Sequence, residues 1–294
     1  MLDGYTRTCG LIGNPVEHTL SPLIHNHIAE KMGDNLVYVP FLVSPDKVQD
    51  AVRGAWALNL LGCNVTIPYK SEVIPFLKEI DPLAKRIGGV NTLVRAEDGF
   101  KGYNTDMPGL FRAFEHDGVK VEGEETVILG AGGVARAVAF LLEDKGASRI
   151  VILNRTVERA RAIAEEVNAY AGRVLAEALP LGEYRALADH GGGKDRYLAI
   201  QATSVGMHPH VTDTLVEDRE FYDMIHTGYD LIYNPEITTF MALAGRYGKR
   251  AFNGAGMLLY QGIIAYELWT GKEIPDKLAD EVYRKMTEAL GQRR

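Results

Sequence analysis

Apolar residues recur along this chain in two registers, short runs of strand length and longer stretches at helical spacing. The sharpest change between them follows Thr126-Val127-Ile128-Leu129, where the apolar run breaks at Gly130, Gly132 and Gly133 and resumes as Val134, Val138, Leu141 and Leu142. This predicts a strand, a tight turn and a helix. In such a unit glycines let the backbone approach a phosphate, and the helix N-terminus offers free N–H groups to its charge. Gly130, Ala131, Gly132, Gly133, Val134 and Ala135 are therefore candidate dinucleotide ligands, with Ala135 at the third glycine position of the fingerprint.

The same reading divides the rest of the chain. Before the glycine turn it predicts strands over Thr8–Gly13, Val37–Val43 and Leu60–Thr66, and a hairpin of Asn91–Glu97 and Gly99–Asn104 about Asp98-Gly99. Helices are predicted over Leu23–Lys31, from the Ser44-Pro45-Asp46 cap to about Ala57, and over Met107–Asp117. After the turn, strands are expected at Ser148–Leu153, Tyr197–Gln201, Tyr229–Tyr233 and Lys249–Phe252. A surface loop is expected at Gly191–Asp195, an apolar helix up to Trp269, and an amphipathic helix over Asp276–Leu290. Alternating strands and helices indicate an α/β layer architecture.

Composition narrows the function. The chain has 294 residues, room for two domains, and no apolar run near the ~18 residues of a membrane span. The N-terminus carries neither a basic segment nor an apolar signal stretch. Two cysteines, Cys9 and Cys63, without metal or redox spacing suit a reducing cytoplasm. A net charge of −7 without a long basic run argues against nucleic acid as the main partner. The expectation is a cytoplasmic globular protein with a small-molecule ligand, no membrane attachment and no metal. Oligomeric state is left open, a homodimer included.

Polar residues at strand ends supply the candidate chemistry, because ligands in open α/β sheets bind beyond the carboxyl ends of strands. Thr19 and Ser21 offer two hydroxyls to an anion from an extended loop, while Ser21 before Pro22 serves equally well as a helix N-cap. Thr66 and Lys70 follow the third strand, Lys70 also reading as a surface lysine opening a helix. Asn91 and Asp106 read as site residues or as turn and cap residues. Thr203 and Ser204 end a strand on the nucleotide side. Gln261 lies on an apolar helix, where a buried amide needs partners, one turn beyond Met257. After the second strand of the nucleotide half come Asn154, Arg155 and Thr156, with Arg159 one turn on, where an NAD site usually carries an acid. Guanidinium groups bind a 2′-phosphate through charge-assisted hydrogen bonds, so the cofactor expected is NADP.

Together the motifs resemble the shikimate dehydrogenase family over nearly the whole chain. They are GNPVEHTLSP at 13–22, NVTIPYK at 64–70, GVNT at 89–92, NTD at 104–106, GAGGVARA at 130–137, NRT at 154–156, ATSVGM at 202–207 and GMLLYQ at 256–261. The resemblance implies reversible NADPH reduction of 3-dehydroshikimate to shikimate, toward chorismate and the aromatic amino acids. It implies an N-terminal α/β substrate-binding domain (1–106 with 257–294), a C-terminal Rossmann NADP-binding domain (107–256) and a cleft between them. Lys70 and Asp106 would be the catalytic pair. Thr19, Ser21, Thr66, Asn91 and Gln261 would hold the carboxylate and hydroxyls, Tyr233 would lie near the carboxylate, and Gly254 and Met257 against the nicotinamide. Thr19, Met107 and Gln201 stand where serine, glycine and asparagine are usual; the added methyl of Thr19 keeps open a paralogue acting on quinate or using NAD, and the bulk of Met107 beside Asp106 could alter the local backbone or the domain hinge. A non-catalytic shikimate sensor is disfavoured by the Lys70 and Asp106 pair, and a metal site of His18, His25 and His27 ranks lower still.

Overall fold

The computed structural model describes residues 2–189 and 194–292. Gly191, Gly192 and Gly193 of the expected surface loop lie outside the described residues. The chain forms two compact units, Met1–Leu110 with Met257–Arg294, and Phe111–Gly256.

The first unit contains β1 (Arg7–Gly13), α1 (Ser21–Met32), β2 (Leu36–Leu42), α2 (Val48–Ala57), β3 (Gly62–Val65), β4 (Glu79–Ile80), α3 (Pro82–Ile87), β5 (Thr92–Ala96) and β6 (Gly99–Tyr103). Helix α4 (Asp106–His116) leads out of it. Its sheet runs β2-β1-β3-β5-β6-β4 and is mixed: β1 is parallel to β2 and β3, whereas β5 runs antiparallel to β3 and β6. The expected hairpin forms, with Ala96 opposite Gly99, so its turn is Glu97-Asp98. Strand β1 sends Ile12 into a core with Val65, Leu93 and Phe100, and Cys9 and Leu11 into another with Tyr38. This two-residue alternation follows from the pleat. The second core is closed by α10 (Ala255–Thr270), which contributes Ala265 and Trp269. The Trp269 indole donates to the Leu93 carbonyl at 2.9 Å. It also lies over Gly62, where a Cβ would meet the indole nitrogen at 2.1 Å. Helix α11 (Asp276–Gln292) ends the chain.

The second unit contains β7 (Glu125–Leu129), α5 (Gly133–Asp144), β8 (Arg149–Asn154), α6 (Val157–Ala171), β9 (Ala176–Pro180), α7 (Ala186–Asp189), β10 (Tyr197–Gln201), α8 (Arg219–Met224), β11 (Ile225–Asp230), α9 (Thr239–Arg246) and β12 (Arg250–Phe252). All its strands are parallel, in the order β12-β11-β10-β7-β8-β9. This is the doubly wound order of dinucleotide-binding folds. Val127, Ile128 and Leu129 are all fully buried, as in a sheet covered on both faces.

Three local expectations are corrected. Ser21 opens α1 instead of capping it: Leu20 holds the N-cap position and no side-chain cap bond is made. Lys70 stands in a turn after β3, not at a helix start. The strand expected at Tyr229–Tyr233 is β11, Ile225–Asp230. The Asp230 carboxylate accepts from the Ile232 backbone N–H at 3.0 Å, and this turn ends the strand.

Candidate functional site

In the first unit the turn after β3, the loop before β5 and the start of α4 converge on one group of side chains. Lys70 Nζ donates to Asp106 Oδ2 at 2.7 Å, with 37% and 17% of the two side chains exposed, so the pair is sheltered yet reachable. Asn91 Nδ2 donates to Asp106 Oδ1 at 2.8 Å and to the Thr105 hydroxyl at 3.0 Å, while Asn91 Oδ1 accepts from the Thr105 backbone N–H at 2.7 Å. With both faces of its amide engaged, Asn91 has one orientation and fixes Asp106 in turn. Asn104 accepts from the N–H groups of Asp106 and Met107 at 3.1 and 3.4 Å, so the helix-capping task falls to Asn104 and leaves Asp106 for the site. Met107 itself is buried.

A second polar group lies at the start of α1. Thr19 Oγ1 donates to Ser21 Oγ at 3.1 Å and accepts from the Ser21 N–H at 3.1 Å, so the two hydroxyls act as one pair. The buried Tyr38 phenol donates to Asn64 Oδ1 at 2.8 Å. Asn64 Nδ2 reaches Thr92 Oγ1 at 3.1 Å and the Asn91 carbonyl at 3.3 Å. Tyr38 and Asn64 thus bring a polar network up to Asn91. Sequence reading assigned neither a role; Asn64 lies within the NVTIPYK motif, but nothing local marks Tyr38. Thr66 follows β3 and packs on Gly13, where a Cβ would meet its methyl at 2.3 Å. Gln261 is half-buried on α10 and donates to the Leu258 carbonyl of its own helix at 2.9 Å, so the buried amide expected there is not found. Met257 is likewise half-buried.

His25 is fully buried and stacked on Tyr38, ring centroids 4.2 Å apart, and burial pushes its imidazole down to about 3. His27 is tied to Glu281 at 3.0 Å and Lys285 at 3.1 Å. Among the described residues no group of three His, Cys, Asp or Glu side chains is arranged to hold a metal ion. No helix among them is long and apolar enough to cross a membrane.

In the second unit the glycine turn sits at the carboxyl end of β7, beside β10, where the strand order reverses. Gly130 has φ +115°, and a Cβ there would meet Thr203 Cγ2 at 2.5 Å. Only glycine fits, and the turns after β7 and β10 touch. Nothing lies within 4 Å of a Cβ built on Gly132 or Gly133, and α5 begins with no side-chain cap. The space before these free N–H groups suits a pyrophosphate. Ala131 borders that opening, Val134 is 48% exposed, and Ala135 is fully buried against the sheet. At the end of β8 Asn154 Nδ2 donates to the Thr156 carbonyl at 2.9 Å. Arg155, Thr156 and Arg159 are exposed, the charges and donors a 2′-phosphate requires. Thr203 is bonded to Gln201 through its N–H (2.6 Å) and hydroxyl (2.7 Å), and Ser204 follows on the same turn. Gly254 donates to the Ile232 carbonyl at 2.9 Å, and a Cβ there would meet the Leu231 carbonyl oxygen at 2.2 Å. Tyr233 is 38% exposed on the loop after β11.

Residues 11–93 match the family model of the shikimate dehydrogenase substrate binding domain, 113–187 that of shikimate / quinate 5-dehydrogenase, and 254–282 that of the shikimate 5'-dehydrogenase C-terminal domain. The shikimate dehydrogenase (NADP(+)) of Moorella thermoacetica is 43% identical, over 97% of this chain and 94% of its own. The Thermus thermophilus shikimate 5-dehydrogenase, solved with NADP(H) and shikimate, is 31% identical with a TM-score of 0.82, covering 95% of this chain and 99% of its own. The Listeria monocytogenes shikimate 5-dehydrogenase, solved with shikimate and NAD, is 32% identical with a TM-score of 0.87, covering 96% and 97%.

Proposed function

Because the chain belongs to the shikimate dehydrogenase family, we propose that it catalyses the reversible NADP-dependent reduction of 3-dehydroshikimate to shikimate. The observation that carries the reading is the Lys70–Asp106–Asn91 cluster. When bound, the dinucleotide supplies the hydride to the ring carbonyl carbon. Negative charge then builds on the ketone oxygen, and a cation placed there both stabilises and protonates it. Lys70 has three N–H donors and engages Asp106 with one, so it retains donors for that oxygen. Asp106 keeps the ammonium in place and orients a ring hydroxyl, and Asn91 holds Asp106.

Thr19, Ser21, Thr66, Asn91, Gln261 and Tyr233 are proposed to read the carboxylate and hydroxyls. The paired hydroxyls of Thr19 and Ser21 support this for an anionic group. The turn at Gly130, Ala131, Gly132, Gly133, Val134 and Ala135 would take the pyrophosphate. Asn154, Arg155, Thr156 and Arg159 would take the 2′-phosphate, and Thr203, Ser204, Gly254 and Met257 the nicotinamide end. On this reading Met1–Leu110 with Met257–Arg294 handles substrate and Phe111–Gly256 cofactor. A cytoplasmic location is in keeping with two buried free thiols. Sedimentation decides whether the enzyme is the homodimer left open above.

The test is initial-rate oxidation of shikimate and quinate, each with NADP and NAD. Shikimate with NADP is expected to give the highest kcat/KM. A preference for quinate or NAD moves the chain to a quinate-type paralogue, and tight shikimate binding without turnover makes it a sensor.

A further inference from the structure

At the carboxyl end of β11 lies a carboxylate that the proposed chemistry does not use. Asp230 is fully buried, and its partners are neutral donors. Gln201 Nε2 and the Ile232 backbone N–H donate to Oδ1 at 3.3 and 3.0 Å, and the Thr238 hydroxyl donates to Oδ2 at 2.7 Å. Burying a carboxyl is costly even when it is hydrogen-bonded, so a buried one at the mouth of a ligand-binding sheet calls for a geometric explanation.

Gln201, the last residue of β10, supplies it. Its amide oxygen accepts from both the N–H and the hydroxyl of Thr203, and its Nε2 donates to the Val205 carbonyl at 3.0 Å as well as to Asp230. An amide carries its donors on one side and its acceptor on the other. Turned over, it would set Nε2 against the Thr203 N–H and its oxygen against the Asp230 carboxyl. Asp230 therefore reinforces, together with the Thr203 N–H and the Val205 carbonyl, the one orientation in which Gln201 grips the turn at 202–206. That turn is the one that touches Gly130 at the head of the glycine turn. Leu231 also donates to the Gln201 carbonyl at 3.0 Å, so the loops leaving β10 and β11 are sewn together twice.

We propose that Asp230, acting through the Gln201 amide, is a positioning residue for dinucleotide binding, fixing the Thr203-Ser204 turn against the glycine turn without touching the ligand. The inference rests on the reading that this unit binds NADP.

The test is calorimetric titration of NADP into the full-length wild type, Asp230→Ala, Asp230→Asn, Gln201→Leu and the Asp230→Ala/Gln201→Leu double variant, with thermal melts of each ligand-free protein. Asp230→Asn keeps an acceptor for Gln201 and Ile232 and is expected to stay within about 3-fold of wild-type affinity. Asp230→Ala and Gln201→Leu are each expected to weaken NADP by about 10-fold or more. The double variant should be no weaker than about 3-fold beyond the worse single, since both substitutions break one link. A purely structural role would lower the melting point yet leave NADP affinity, measured well below it, unchanged. Wild-type affinity in folded Asp230→Ala, or effects that multiply in the double variant, overturn the proposal. Should Asp230→Ala fail to fold, Gln201→Leu decides, and wild-type affinity there overturns it. A wild type without NADP affinity removes the cofactor reading and this inference together, whereas a binding wild type with unaltered variants removes the inference alone.

Discussion

Burial pushes the Asp230 carboxyl up from 3.8 to about 6, against the opposing pull of its donors Thr238, Ile232 N–H and Gln201. The folded protein therefore holds this proton to a higher pH than the unfolded chain. The resulting stability is fully present below about pH 4 and is lost as pH rises through about 6. Tyr222, which also senses Asp230, is pushed upward by burial and stays protonated across this window. Urea unfolding from pH 4 to 7 should show the wild type losing stability relative to the non-titrating Asp230→Asn; parallel curves would contradict the assignment. At the cofactor end, Arg155→Ala should raise the KM for NADP by about 10- to 100-fold, the worth of one charge-assisted hydrogen bond of ~1.5–3 kcal/mol, and leave kcat/KM with NAD within about 2-fold. At their strand ends Lys70, Asn91 and Asp106 read equally well as a surface lysine and as turn and cap residues, and only the order and spacing of the combined motifs singled them out. Tyr38 and Asp230 were not legible, since their roles depend on Asn64 and Gln201, distant in sequence.

At the scale of elements, the unit β7–turn–α5 was readable, because three glycines separate a continuous apolar run of strand length from a clear helical pattern. Its geometry yields a prediction. Gly130→Ala places a methyl at φ +115° and within 2.5 Å of the Thr203 methyl. A destabilisation of ~1–3 kcal/mol is expected from the backbone conformation, together with weaker NADP binding. Denaturant unfolding and NADP titration check both, and unchanged values would contradict the fit. Strand β11 was harder to read, as His226 and Gly228 interrupt its start, whereas the apolar residues Tyr229, Leu231, Ile232 and Tyr233 invite a later start. Gly228 belongs there because a Cβ would press on the Phe240 ring at 2.9 Å. Short elements such as β4 and α3 hold too few residues for any period to show.

For the whole molecule, the alternation of strands and helices made the α/β class readable, but strand order depends on pairings between distant segments. Register pairs such as Leu129 with Gln201 leave no local trace. The chain leaves its first unit at Leu110 and re-enters it at Met257, so that the core around Cys9, Leu11 and Tyr38 is completed by Ala265 and Trp269. Loss of one such tryptophan costs ~3–5 kcal/mol, against a typical total stability of ~5–15 kcal/mol. A chain ending at residue 256 should therefore lose the first unit while Phe111–Gly256, with its own core, stays folded. Hydrogen exchange checks this, and protection of β1 to β6 in the truncated chain would contradict it.

The most direct measurement on the complete enzyme is kcat for shikimate oxidation with NADP in Lys70→Met, alongside shikimate affinity by titration. On the proposed role of Lys70, its loss should lower kcat by ~10²–10⁴-fold while shikimate binding moves by less than about 10-fold. A variant that turns over within about 5-fold of wild type would contradict the assignment of Lys70, and with it the mechanism built on the Lys70–Asp106 pair.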